Sequence, residues 1–238
     1  MISSLAIIAF AALIHTSFQL SVSMLTLLSG HAIGSKTAHT KLIRLTGGFS
    51  LGVAVMTLLL LTFTAFLLQH SFGNNVPLIA WAVCCGLLFG LGIAVWIFYY
   101  RREKGTSLWL PRTMARYLSD RTKATKQSAE AFGLGLTSVI GELLFIFAPI
   151  VVSALVLIQL QPFMQLIGIA LYTAISLLSL LIVGGLVGSG HKLSHIQKWR
   201  ENNKRFLQFA AGSGLLVLGF YVYVEQVMTA TAMAHGGL

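Results

Sequence analysis

Six apolar stretches punctuate the chain, running roughly over 4–29, 47–69, 78–100, 131–158, 163–188 and 206–228. A helix needs about 20 mostly apolar residues to cross the hydrocarbon core of a bilayer, and each stretch meets that length. The segments between them are polar or carry Gly, Pro and Asn. The pattern therefore predicts an all-α integral membrane protein with six transmembrane helices. Residues 1–238 form a single transmembrane domain, with helices 1–3 over about 4–100, a basic loop over about 101–128, and helices 4–6 over about 131–228. The chain is 56% hydrophobic and 9% charged. A soluble domain carries roughly 25% charged residues, so this chain lacks the polar surface to fold in water, and the lipid bilayer is its first partner.

Charge placement orients the bundle. The loop after the first stretch holds Lys36, Lys41 and Arg44. The loop after the third holds Arg101, Arg102, Lys104, Arg112, Arg116, Arg121, Lys123 and Lys126, and the loop after the fifth holds Lys192, Lys198, Arg200, Lys204 and Arg205. These are all 16 Lys and Arg of the chain. Basic residues flank spans on the cytoplasmic side, so loops 1, 3 and 5 are expected in the cytoplasm and both termini outside. The expected location is a plasma membrane of the bacterial inner-membrane kind. The net charge of +10 then reflects topology, and no nucleic-acid partner is implied. No Lys or Arg precedes the first apolar stretch and no small-residue cleavage site follows it, so it is read as a retained helix.

The third loop is long and central. Leu110, Met114, Tyr117 and Leu118 recur at helical spacing with Arg112, Arg116 and Arg121 between them, and Pro111 suits a first helical turn. This predicts either a short amphipathic helix on the inner leaflet or a solvated connector. Three helices on each side of it make the two halves enter the membrane from opposite faces. That is a 3+3 inverted-repeat bundle, the layout on which many secondary transporters build alternating access.

Few residues in the spans can carry chemistry. Glu142 is the one acidic residue well inside a span. A charge at that depth costs about 2.5–3.5 kcal/mol or more, so it must be protonated, paired, or facing a polar cavity. His15 opens a polar stripe of Thr16, Ser17, Gln19, Ser21 and Ser23, and Gln19 shares its helix face. Helix 4 adds Thr137, Ser138 and Pro149, the last an expected structural kink. The substrate- or ion-binding candidates are thus Glu142, His15, Gln19, Thr16 and Ser138. Structural alternatives stand beside them: a protonated Glu bonded to a neighbouring helix, and a polar stripe that only aids packing. Gly212, Ser213, Gly214 and Gly219 permit close packing of the last helix.

Metal and thiol chemistry is thinly represented. His191 and His195 have i,i+4 spacing, so a metal ion is conceivable, but no carboxylate or thiolate joins them, and no cofactor is identified. Met24, Met56 and Met164 are scattered. Cys84 and Cys85 are adjacent and point in different directions on a helix, which ill suits a mutual disulfide. No HExxH, Ser/His dyad or acidic metal motif is present, which argues against an enzyme.

Three segments carry a family resemblance. The run HTSFQLSVSMLTLLSG from His15 to Gly30 resembles the first helix of the CcdA/DsbD transmembrane family, with its pattern SPCxLPLxPxYLSYLSG. Gly135-Leu-Thr-Ser-Val-Ile-Gly-Glu142 resembles the family's GWTPCIGP, and Lys204 to Tyr223 resembles its last helix. The same architecture recurs in the wider LysE-type transporter superfamily. The resemblance puts the family's two electron-carrying cysteines on Thr16 and Val139, neither of which can exchange disulfides. It implies that Thr16 and Val139 face each other at mid-membrane, gathering His15, Gln19 and Glu142 into one cavity. The reading that follows is a transporter of a small solute or ion by alternating access, with a cation or proton at Glu142. The alternatives are a transmembrane thiol/electron-transfer or cytochrome c biogenesis-type protein with a redox partner, and a non-transporting assembly subunit. A homodimer is compatible with so small a bundle.

Overall fold

The computed structural model describes residues 2–18, 36–98, 125, 127–189, 193–229 and 231. Among these residues every element is helical. In chain order they are α1 Ile2–Phe18, α2 Lys36–Phe72, α3 Leu78–Phe98, α4 Ser128–Leu157, α5 Pro162–Ser176, α6 Leu178–Gly188, α7 Leu193–Asn202 and α8 Lys204–Val222. A wider, π-helical turn continues α8 over Tyr223–Met228.

Among the described residues, five segments are long and apolar enough to cross a membrane: Ile43–Phe72, Leu78–Phe98, Ser128–Leu157, Pro162–Leu186 and Lys204–Met228. Ile2–Phe18 is a shorter apolar helix. Large apolar side chains such as Leu51, Phe66, Ile79, Ile97, Phe147, Phe163, Leu166, Ile182 and Phe220 lie open on the outer faces of the helices. A soluble monomer rarely exposes so broad an apolar surface, and the bilayer is the solvent that fits it.

The elements depart from the sequence pattern in three places. First, α2 begins at Lys36, so much of the first basic loop is helical. No Gly or Pro interrupts residues 36–46, and 37 residues at about 1.5 Å each give roughly 55 Å, well beyond the apolar core. Second, the last basic loop holds a helix of its own, α7. Third, the fifth span is interrupted at Leu177, where no proline stands; Pro149 by contrast lies inside the continuous α4. The physical cause of the interruption lies in α1. The Ser179 backbone N–H donates to the Thr16 hydroxyl at 3.1 Å. A side chain inserted into the backbone ladder breaks a helix as proline can. Thr173 and Ser176 add to the effect by donating to the carbonyls of Ile169 and Thr173, each at 2.9 Å.

Helix termini are set locally. The Gln127 backbone N–H donates to the Glu130 carboxylate at 3.1 Å, which gives Glu130 a capping role. Pro162 opens α5.

α4 is the hub, with buried residues on most of its circumference. It packs against α1, α2, α3 and α5, while α1 also packs against α5 and α8, and α3 against α8. The close approaches fix relative directions. α2 and α4 run parallel: a Cβ at Gly48 would meet the Ser128 carbonyl oxygen, one at Gly52 the Phe132 carbonyl oxygen, and one at Gly135 the Phe49 carbonyl oxygen. α1 and α5 also run parallel, through Ile8 beside Gly168 and His15 beside Tyr172. α3 and α8 run antiparallel, with Trp96 against Phe209 and Gly92 against Gly212. α1 and α4 run antiparallel, since Gly168 meets both Ile8 and Leu157 while Phe18 stacks on Phe145.

The α3–α8 seam is the more polar one. Gln208 donates its amide to the carbonyls of Val95 and Trp96, both at 2.7 Å, and Trp96 Nε1 donates to the Phe209 carbonyl at 3.2 Å. Away from water, such side chains satisfy backbone groups at helix ends and hold the seam in register.

Candidate functional site

His15 is fully buried, and its Nδ1 lies 2.9 Å from the hydroxyl of Tyr172, itself fully buried on α5. The rings are tilted by 53° with centroids 5.6 Å apart. In a neutral imidazole the tautomer decides which of the two donates. One turn further along α1, Phe18 stacks on Phe145 of α4 at 5.6 Å and 18°. One turn before Phe145 on its own helix stands Glu142, 5% exposed. Ser138 lies four residues before Glu142 on the same face, buried, with its hydroxyl donating to the Gly135 carbonyl at 2.9 Å.

The antiparallel register of α1 and α4 sets the depths of these groups. Going along α1 from His15 to Phe18 corresponds to going backward along α4. His15 and Glu142 therefore fall on opposite sides of the stacked rings. Three residues of rise on each side make roughly 9 Å of depth between them. The structure thus brings His15 together with Tyr172 and Thr16 with Ser179, and it places the aromatic pair between His15 and Glu142. Gln19 lies outside the described residues, as do His191 and the segment 110–118.

The register also bears on the pairing that the family resemblance implies. With Phe18 opposite Phe145 and Ile8 near Leu157, Thr16 falls level with residues close to Pro149. Val139 sits about two turns away, roughly 12 Å along the axis. A short bifunctional thiol reagent should therefore join a Phe18→Cys/Phe145→Cys pair and leave a Thr16→Cys/Val139→Cys pair unlinked, each in a background with Cys84→Ala and Cys85→Ala. Efficient linking of the Thr16/Val139 pair would restore the implied geometry. Cys84 and Cys85 are themselves buried free thiols on α3. No group of three or more His, Cys, Asp or Glu gathers as a metal site among the described residues.

Two polar residues of this region escaped the sequence pattern. Tyr172 is a lone tyrosine inside an apolar span, a residue that usually finds a hydrogen-bond partner when buried. Thr57 is fully buried in the stripe Leu45, Phe49, Val53, Thr57 and Leu61 of α2. Its hydroxyl has no hydrogen-bond partner among the described residues.

The His15–Tyr172 bond can be tested by itself. Tyr172→Phe keeps the ring and deletes the hydroxyl, and it should destabilise the protein by about 1–3 kcal/mol, read as a lower melting temperature in detergent. His15→Leu combined with Tyr172→Phe should recover part of the loss, because an apolar pair leaves fewer polar atoms to satisfy.

Comparison of the chain with protein-family models, curated proteins and solved structures returned no match, so none of the three supports the CcdA/DsbD or LysE-type resemblance.

Proposed function

We propose that the protein is a membrane transporter of a small solute or ion, cation- or proton-coupled, working by alternating access of two inverted halves. Six spans form the bundle: α1, α2 and α3 in one half, and α4, the α5–α6 pair and α8 in the other. Both termini lie outside, and loops 1, 3 and 5 lie in the cytoplasm. Glu142 and His15 are the central ionisable groups, with Gln19, Thr16 and Ser138 as the polar residues around them.

The observation that carries this reading is an exchange symmetry in the packing. Swapping the halves turns the parallel α2–α4 contact into the parallel α5–α1 contact, and the α3–α4 contact into the α8–α1 contact. The α1–α4 and α3–α8 contacts map onto themselves, and both are antiparallel. The α3–α8 crossing is reciprocal to the atom: a Cβ at Gly92 would lie 3.1 Å from the Gly212 carbonyl oxygen, and one at Gly212 3.0 Å from that of Gly92. Gly52 and Gly168 each approach the first helix of the other half, Gly52 at the Phe132 backbone and Gly168 at the Ile8 side chain, with Leu157 of its own half nearer still to Gly168. Two halves packed through matching contacts can rock about the shared seam, which is the mechanical basis of alternating access. A carboxylate buried in the hub helix, with no Lys or Arg in the same stretch of sequence, suits a cation or proton better than an anion.

A thermal-shift screen of detergent-purified protein tests the reading. The panel holds divalent and monovalent cations, amino acids, small anions and pH steps. A ligand that binds only the folded state raises the melting temperature, by about 2.7 kcal/mol of stability at a hundredfold excess over Kd. One class should shift the protein. The hit is then reconstituted in liposomes, where uptake down a gradient is expected and its absence counts against transport.

A further inference from the structure

We propose that the chain carries two polar half-sites for a small cation, one at His15 and Tyr172 and one at Glu142 near the level of Thr57, and that the Phe18–Phe145 pair is the barrier between them. The proposal rests on the inverted-repeat transporter reading and deepens it. His15-Thr16-Ser17-Phe18 and Glu142-Leu143-Leu144-Phe145 place an ionisable residue three positions before a stacked ring in each half. The stack lies on the α1–α4 contact, which the exchange of halves maps onto itself. That exchange therefore carries His15 onto Glu142.

The surrounding helices follow the same correspondence. α5 supplies Tyr172 beside His15, with Thr173 the next residue along. Matching Gly168 with Gly52 sets Met56 of α2 at the position of Tyr172 and Thr57 at that of Thr173. The parallel α2–α4 register reaches the same result independently. Gly48 faces Ser128 and Gly52 faces Phe132 and Leu136, so the turn of α2 holding Thr57 is level with the turn of α4 just before Glu142. Thr57 is fully buried with an unpartnered hydroxyl among the described residues. A buried hydroxyl is costly to leave unsatisfied, and at the depth of a carboxylate it can supply an oxygen to a desolvated cation.

The stacked rings divide the two positions. Phe18 and Phe145 are both buried and meet as near-parallel, offset rings across the seam of the halves. Each ring offers neither a donor nor an acceptor, so an ion passing from Glu142 to His15 loses its polar partners at that layer. Separating the rings is the smallest movement that would connect the half-sites, and one half moving against the other would separate them.

Side-specific labelling tests the barrier without knowledge of the substrate. Thr57→Cys and Thr173→Cys are placed singly in a background with Cys84→Ala and Cys85→Ala, in right-side-out and inside-out vesicles. A charged, membrane-impermeant thiol reagent should label Thr57→Cys only from the face bearing the basic loops, and Thr173→Cys only from the opposite face. Adding Phe18→Ala with Phe145→Ala should abolish that sidedness at both positions. Phe18→Leu with Phe145→Leu keeps apolar bulk and should retain it, and circular dichroism confirms that each variant folds. Labelling of both cysteines from the same face with the rings intact overturns the proposal. So does sidedness, or absence of labelling, that survives the alanine pair. Protease accessibility of the basic loops separates the two levels of the argument: loops found on different faces would sink the inverted layout, whereas loops on one face with unsided labelling would sink only the barrier.

Discussion

Glu142→Gln protein is expected to fold as the parent does and to lose ligand-dependent stabilisation completely. The two side chains have nearly the same shape, so packing around α4 is conserved. The amide keeps hydrogen-bonding capacity at that position, so the unliganded variant should melt close to the parent temperature, with unchanged helical circular dichroism. The ligand class that stabilises the parent should leave the variant unshifted. In liposomes the variant should lose uptake or its coupling to a proton gradient. A variant that is stabilised by the same ligand and transports at the parent rate would make Glu142 a structural residue of the hub helix.

The second large effect belongs to the α2–α4 interface. Gly52→Ala and Gly135→Ala are each expected to destabilise strongly. A Cβ at Gly52 would overlap the Phe132 carbonyl oxygen, and one at Gly135 that of Phe49. Backbone oxygens cannot swing aside as a flexible side chain can, so the two helices must separate. Overpacking of this kind typically costs 1–3 kcal/mol, occasionally more, and both changes act on one seam. Melting temperature and the yield of monodisperse protein in detergent are the readouts. Gly86→Ala and Gly90→Ala serve as internal controls. A Cβ there meets nothing within 4 Å, so the better helix propensity of Ala should leave stability unchanged or raise it. Equal behaviour of the two pairs would mean that close approach of α2 and α4 is not what holds the bundle.

The reach of the sequence pattern is clear when particular elements are compared. The spans at 78–100, 131–158 and 206–228 coincide closely with α3, α4 and the α8 segment, because a long apolar run has one stable outcome in lipid. The first basic loop was less legible. Its lysines and arginine mark the end of a span by hydropathy, yet the same residues form helix readily, so α2 extends through them. Pro149 drew attention as an expected kink, and it lies inside one continuous helix. The interruption at Leu177 arises through a hydroxyl of another helix that no local rule can foresee. Similarly, His15 and Glu142 stood out as ionisable residues in apolar surroundings, but whether they share a cavity depends on helix direction and register.

Composition and periodicity alone determined that this chain is a helical membrane protein, where five of its long apolar helices run, and which few residues within them can ionise. Those properties are additive along the chain, since each residue's transfer free energy between water and lipid depends little on its distant neighbours. Only the tertiary structure decided that Tyr172 is the partner of His15, that Thr16 interrupts the fifth span, that Gly52 and Gly135 bring two helices into contact, and that Phe18 and Phe145 stand between the ionisable residues. These depend on which faces meet and at what depth, and apolar helices of similar composition can meet in many ways until packing and interhelical hydrogen bonds select one.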